Sequence, residues 1–270
     1  MALTQFQRAV CRLIAENRVA QGESYVAGGV ALNLALHASR ISRDIDLFHD
    51  TQEALAASWD ADRRLLLANG YDVAVATERP AYVEAVVTKD EGSVLVQWVR
   101  DSAYRFFPLV RDDELGLTLH PLDLATNKTL ALVGRLEVRD WVDLIGCHER
   151  IQQLGYLAWA ACGKDPGFSP RSILEHARRS SHYSAPEVQE LSFDDPPPDA
   201  GELSRAWRAM LREADEIVSL LPVEEAGKCV ISGSGALFAG APAEARVAVA
   251  ASEIHFHAGT IRGVLPTIRG

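Results

Sequence analysis

Ser24-Tyr25-Val26-Ala27-Gly28-Gly29, followed downstream by Asp44-Ile45-Asp46-Leu47-Phe48, decides how this chain is read. Asp44 and Asp46 alternate with Ile45 and Leu47 in a short apolar run, so on a strand both carboxylates leave the same face. Two carboxylates on one face repel, and a divalent cation between them relieves the repulsion. Hard oxygen donors suit Mg²⁺, which takes one or two carboxylates together with substrate phosphates. Upstream, residues 24–27 read as a strand, Gly28 and Gly29 as a tight turn, and residues 30–38 as a helix with apolar residues on several faces. Glycines at such a turn let backbone amides approach a phosphate closely, and the helix N-terminus adds partial positive charge. Either half alone is common, since Gly-Gly turns abound and an Asp-x-Asp strand also serves as a solvated edge or a calcium pair. Together, in this order, they read as a metal-dependent nucleotidyl-transfer site with Asp44 and Asp46 as its metal ligands.

The segment that leads into the aspartates, Arg40-Ile41-Ser42-Arg43-Asp44-Ile45-Asp46, completes a pattern of apolar strand, glycine pair, helix and Arg-x-Ser-x-Asp-x-Asp. This pattern resembles the AbiEii/AbiGii toxin family of nucleotidyltransferases, within the wider DNA polymerase β-like superfamily. A second block agrees. Leu124-Ala125-Thr126-Asn127-Lys128, then Gly134-Arg135, then Arg139-Asp140-Trp141-Val142-Asp143-Leu144, is similar to that family's downstream lysine and Arg-Asp-x-x-Asp motifs. The resemblance covers about residues 20–150.

The resemblance implies an α+β fold: a polymerase β-like nucleotidyltransferase core, a mixed sheet with flanking helices, followed by a mainly helical C-terminal domain. It implies an enzyme that moves a nucleoside monophosphate from an NTP to a tRNA or protein acceptor with Mg²⁺, the toxin half of a toxin-antitoxin or abortive-infection pair with a cognate antitoxin as partner. Carried onto this chain, the catalytic residues are Asp44, Asp46, Lys128, Asp140 and Asp143. The nucleotide-binding residues are Gly28, Gly29, Arg40, Ser42, Lys128 and Arg135.

Each assignment has a plainer competitor. Lys128 sits in a helical pattern that does not require it to be buried, so it either neutralises phosphate charge or is an ordinary exposed helix lysine. Arg135 either meets phosphate or caps a helix C-terminus. Asp140 and Asp143 are three apart and share a helical face. They orient Lys128 and Arg139 through ion pairs, act on the acceptor, or simply provide negative charge at a helix N-terminus. Arg40 and Ser42 either serve the phosphates or shape the turn.

Related sites usually carry a third carboxylate on a neighbouring strand, and here the chain departs from the pattern. Residues 94–99 hold Gln97 where an acid is sought. An amide ligates through its carbonyl oxygen or orders a water, but it is no general base. Glu84 is the nearest other strand carboxylate, and its plain reading is a solvent-facing residue on a half-buried strand.

Composition bounds the rest. A chain of 270 residues with 48% hydrophobic content holds one large or two modest domains with a packed core. The expected division is a nucleotidyltransferase core over residues 1–120, a helical domain carrying the lysine and Arg-Asp-x-x-Asp motifs over 121–222, and a small hairpin and tail over 223–270. No run of eighteen apolar residues and no signal-peptide start is present, so a cytoplasmic protein without membrane association is expected. The four cysteines are scattered without a Cys-x-x-Cys pair and are expected as buried thiols. A formal charge of −10 argues against non-specific coating of nucleic acid.

Along the chain, residues 4–20 show helical apolar spacing. Thr51 reads as the N-cap of a helix that stops near Gly70, and three strand-like segments at 71–77, 82–88 and 94–100 read as an antiparallel meander. Ser169-Pro170 starts a further helix, and residues 202–221 read as an amphipathic one that ends at Pro222. The last forty residues, including Cys229-Val-Ile-Ser-Gly-Ser-Gly-Ala-Leu-Phe and Arg246-Val-Ala-Val-Ala, are expected to form a short hairpin and a loose tail, and His255-Phe-His257 a pair without function. Arg171, Arg178, Arg179, His176 and His182 form a basic cluster that either contacts RNA or is a solvated face. Two rival functions stand beside the toxin reading: an antibiotic-type small-molecule nucleotidyltransferase, which the acidic charge suits, and a degenerate binding protein, which Gln97 suits.

Overall fold

The computed structural model describes residues 3–179 and 183–267. His182 of the basic cluster lies outside them. The chain divides into two compact units, one of residues up to 103 with 108–120, the other of 104–107 with 121 onward.

The first unit begins with α1 (Gln5–Gln21), whose N-terminus is closed by a reciprocal capping box between Thr4 and Gln7. There follow β1 (Ser24–Ala27), α2 (Gly28–Ala35), β2 (Asp44–His49), α3 (Gln52–Ala68), β3 (Asp72–Arg79), β4 (Tyr82–Lys89) and β5 (Gly92–Arg100). After β6 (Tyr104–Arg105), which belongs to the second unit, β7 (Val110–Asp112) and β8 (Gly116–Thr118) complete the first. Seven strands form one mixed sheet in the order β3-β4-β5-β2-β1-β8-β7. The segment from β3 to β5 is the expected antiparallel meander, β2 runs parallel to β5, and β1 is antiparallel to β2 and parallel to β8.

One face of this sheet is sealed. Ile45, Leu47, Val83, Ala85, Val87, Val94, Val96 and Trp98 are buried there with Val10, Ile14, Leu55, Trp59 and Leu66 of α1 and α3. The rings of Trp59 and Trp98 meet edge to face with centroids 4.7 Å apart. Each buried Val, Leu or Ile side chain contributes roughly 1.5–3 kcal/mol by leaving water. A polar knot sits in the same layer. Arg18 and Asp62 are both fully buried and form an ion pair, and Asp62 also accepts from Trp98 Nε1 at 2.9 Å and Asn17 Nδ2 at 2.8 Å. Arg18 reaches Ser58 at 3.0 Å. His49, at the end of β2, lies between Ser24 Oγ at 3.0 Å and the Val99 carbonyl at 3.2 Å. Burial, reinforced by the positive charge of Arg18, lowers the His49 pKa to about 4, so the ring is neutral. As a neutral ring it donates from one nitrogen to Val99 and accepts the Ser24 hydroxyl at the other.

The helix after the glycine pair differs from expectation. It begins at Gly28 itself and ends at Ala35, rather than spanning 30–38. Gly28 takes a positive φ of 63°, which lets the chain leave β1 and enter the helix without a separate turn. His37, also at positive φ, then ends it.

The second unit is mainly helical: α4 (Pro121–Arg135), α5 (Val138–Arg150), α6 (Leu154–Ala161), α7 (Pro170–Ala177), α8 (Ala185–Gln189) and α9 (Ala200–Leu220), then β9 (Cys229–Ser232), α10 (Pro242–Ala250), β10 (Ile254–His257) and β11 (Thr260–Ile261). Every residue of α6 is buried, packed among α4, α7 and α9, and Trp141, Tyr156 and Trp207 fill the core. Ser169 caps α7 with Pro170 at its first position, as the sequence indicates. The expected terminal hairpin is corrected in its partner. Arg246–Ala250 lies in α10, because the proline at its first turn and Glu244 capping Ala241 favour a helix there, and β9 pairs instead with β10. His257 of that strand is bonded to the Phe106 carbonyl at 2.8 Å, a packing role. Three of the cysteines are buried and Cys162 is partly so, all with free thiols.

Candidate active site

The open face of the first unit's sheet carries Asp44, Asp46, Gln97 and Glu84. On β2 the burial alternates, with Ile45, Leu47 and His49 buried and Asp44 and Asp46 half-exposed, so the two carboxylates share the open face. β1 delivers the glycine turn beside them, because Ala27 pairs directly with Asp46. A Cβ built on Gly28 would stand 1.8 Å from Asp46 Oδ2, and one built on Gly29 would stand 2.6 Å from Ser42 Oγ and 3.2 Å from an Arg40 guanidinium nitrogen. Gly28, Gly29, Arg40, Ser42, Asp44 and Asp46 are thus one neighbourhood.

The loop that carries Arg40 and Ser42 is held by its backbone. Asn33 Nδ2, from inside α2, donates to the Arg40 carbonyl at 2.9 Å, and Gln7 Nε2 of α1 donates to the Ser42 carbonyl at 2.7 Å. Both donors are buried. The Ser42 hydroxyl then donates to Asp44 Oδ1 at 3.0 Å, which fixes one of the two carboxylates.

Gln97 occupies the place beside Asp46 where an acid was sought. In the parallel seam between β2 and β5, Asp46 is paired with Gln97, and on the next strand Gln97 is paired with Glu84. A row of three oxygen-bearing side chains therefore crosses β2, β5 and β4. Gln97 Nε2 donates to Glu84 Oε2 at 2.9 Å, and the Tyr82 hydroxyl donates to the same oxygen at 2.6 Å. Partial burial, the bond to Glu84 and the nearby carboxylates, Asp46 and Asp44 among them, push the Tyr82 pKa up to about 12. Glu84 is accordingly bonded within the site row, not a bare solvent-facing acid.

These residues fit a hard divalent cation. Both donors on β2 are carboxylates, and the missing side chain of Gly28 is what leaves Asp46 Oδ2 room. Among the described residues no three His, Cys, Asp or Glu side chains are grouped to hold a metal. The protein's acidic contribution is two carboxylates, a number Mg²⁺ accepts when phosphates supply further oxygens.

In the second unit the motif residues form a separate cluster. Lys128, on α4, is buried rather than exposed, and its Nζ lies 2.8 Å from Asp140 Oδ1 and 3.1 Å from Asp143 Oδ2 on α5. Arg135 Nε lies 2.6 Å from Asp140 Oδ2, with a second nitrogen 2.9 Å from Oδ1, a bidentate clasp. Burial works to raise the Asp140 pKa, yet the bonds from Arg135 and the charge of Lys128 hold it below the ordinary value. The two aspartates orient Lys128 as one reading anticipates. Arg139 pairs with Glu137 at 2.6 Å. Trp141, between the aspartates in sequence, is fully buried and anchors α5.

No family model matches the sequence, and no curated protein matches it. Solved structures do match. The chain is similar to JHP933 from Helicobacter pylori, with a TM-score of 0.52 at 17% identity over 78% of this chain and 91% of that one. It is also similar to MenT4, a nucleotidyltransferase toxin from Mycobacterium tuberculosis H37Rv, with a TM-score of 0.54 at 16% identity over 80% of this chain and 83% of that one. The fold is that of the nucleotidyltransferases.

Proposed function

We propose that this protein is a Mg²⁺-dependent nucleotidyltransferase that moves a nucleoside monophosphate from an NTP to a tRNA or protein acceptor and releases pyrophosphate. The observation that carries the reading is the placement of Asp44 and Asp46 on one sheet face, with Gly28 packed against Asp46 at the start of a helix, in a nucleotidyltransferase fold. The likeness to a nucleotidyltransferase toxin, together with the sequence motifs, supports the toxin role and a cognate antitoxin. Among the described residues no helix is long and apolar enough to cross a membrane, which accords with a cytoplasmic setting.

In this reading Asp44 and Asp46 hold the cation. Bound Mg²⁺ supplies Lewis-acid stabilisation of the charge that develops on the reacting phosphates. The backbone amides at the start of α2 face an anion with the positive end of the helix, and Gly28 and Gly29 keep the approach to them open. Ser42 holds Asp44 in orientation. Arg40 supplies positive charge for the triphosphate. Within the second unit, Asp140 and Asp143 set the direction of Lys128. Gln97 favours one competing reading, a non-catalytic binding protein.

Incubating the purified protein with each labelled NTP, Mg²⁺ and either total tRNA or no added acceptor separates the outcomes. Label in RNA supports the toxin reading with an RNA acceptor, and label in the chain itself supports transfer to protein. Absence of label, or equal label from wild type and Asp44→Ala, overturns the transferase reading.

A further inference from the structure

The row Asp46, Gln97, Glu84 carries more than the two-carboxylate reading uses. The orientation of a glutamine amide is set by its hydrogen bonds, since its oxygen and nitrogen ends are nearly the same shape. Here Gln97 gives its Nε2 to Glu84 at 2.9 Å. Glu84 in turn is fixed by the Tyr82 hydroxyl at 2.6 Å on the same oxygen. With the nitrogen end committed toward β4, the carbonyl oxygen is the end left for the β2 side, where Asp46 is the direct strand neighbour. An ionised carboxylate accepts and does not donate, so Glu84 enforces this choice: the flipped amide would set Oε1 against a carboxylate oxygen and repel.

We propose that Gln97 is the third oxygen ligand of the cation site, a neutral one, and that Glu84 is a positioning residue that presents its carbonyl oxygen to the Asp44 and Asp46 face. This rests on the nucleotidyltransferase reading and sharpens it. The site keeps the three-point layout of a cation cradle but carries two negative charges at the cation in place of three. Fewer charged ligands weaken the hold on a free divalent ion. The ion therefore binds with the triphosphate, whose oxygens complete its shell, and poorly without it.

The test is Mn²⁺ binding to the full chain, read from the electron paramagnetic resonance signal of free Mn²⁺ with and without a non-hydrolysable NTP analogue, so that no turnover is needed. Wild type is expected to bind Mn²⁺ at least tenfold more tightly with the analogue than without it. Gln97→Glu, which restores a third charge, is expected to bind Mn²⁺ alone more tightly than wild type. Gln97→Leu and Glu84→Ala are expected to lose roughly 10–100-fold in affinity, the usual cost of removing an outer-shell partner or its ligand. Glu84→Gln keeps an acceptor oxygen for Gln97 and is expected to stay near wild type.

Unchanged binding in Gln97→Leu and Glu84→Ala, with loss in Asp46→Asn, overturns the proposal and leaves the two-aspartate site standing. Equal loss in Glu84→Gln and Glu84→Ala overturns the positioning role and makes Glu84 itself the ligand. No Mn²⁺ binding by wild type under either condition overturns the proposal together with the metal-dependent reading beneath it.

Discussion

Gly28 and Asp46 are so close that a single added carbon on the glycine would stand 1.8 Å from the carboxylate oxygen. Gly28 also holds a φ of 63°, which costs an L-residue roughly 1–2 kcal/mol. Gly28→Ala is therefore expected to push Asp46 aside and lower the rate of nucleotidyl transfer by roughly 100-fold, the scale of a 1 Å misplacement. Gly29→Ala meets the tip of Ser42 instead, a side chain able to turn away, and is expected to lose less. Steady-state kinetics of the two variants, with circular dichroism to confirm folding, rank them.

Lys128 is predicted to be as important to folding as to chemistry. It is buried between Asp140 and Asp143, so Lys128→Ala removes the cation that both buried carboxylates share. Breaking a buried pair from one side costs about 3–5 kcal/mol. Urea unfolding is expected to show that loss, and adding Asp143→Asn to Lys128→Ala is expected to return part of it, because one of the two buried carboxylates is then neutral. Equal midpoints for wild type and Lys128→Ala would refute a buried pair.

Acid is expected to weaken the first unit through His49. Its folded pKa is depressed to about 4 from 6.5, so below 6.5 the unfolded chain takes up a proton that the folded chain refuses. The stabilisation is complete above that pH and is lost as the pH falls toward about 4, by about 2 kcal/mol at pH 5. Denaturant unfolding of wild type and His49→Gln at pH 7 and pH 5 checks the sign, since the variant lacks this part of the slope.

Ser42→Ala removes the hydroxyl that orients Asp44 at 3.0 Å while leaving the loop's two backbone anchors from Asn33 and Gln7 in place. A loss of about 1 kcal/mol or less in stability is expected. Activity is expected to fall more, with a rise in the Mg²⁺ concentration needed for half-maximal rate. Asn33→Ala, which frees the loop itself, is expected to cost more stability than Ser42→Ala.

Much of the first unit was legible because its signals are local. Strand alternation placed Asp44 and Asp46 together, Thr51 marked the start of α3, and the meander of β3 to β5 followed from turn residues and apolar runs. What escaped depended on partners distant in sequence. Arg18 and Asp62 lie far apart in sequence, and only the packing of α1 on α3 buries them together. Lys128 lies in a stretch that permits exposure, and its burial comes from the aspartates of α5. Glu84 has the pattern of a solvent-facing strand residue. Its bond to Gln97 depends on the register between β4 and β5, which no single segment encodes. The helix of Arg246–Ala250 was hidden by a β-branched, alternating composition that its proline-led N-terminus overrides.

Strand β2 alternates between chemistry on the open face and core on the sealed one, with Asp44 and Asp46 opposite Ile45, Leu47 and His49. A one-residue slip would reverse every side chain at once, sinking two charges into the apolar layer and lifting two aliphatic residues into the site. The segment is therefore self-proofreading: no misregistered form keeps either the fold or the metal donors. Length changes that the chain survives belong in the loop before Arg40 or beyond Asp50, and an insertion within residues 44–49 costs structure and activity together.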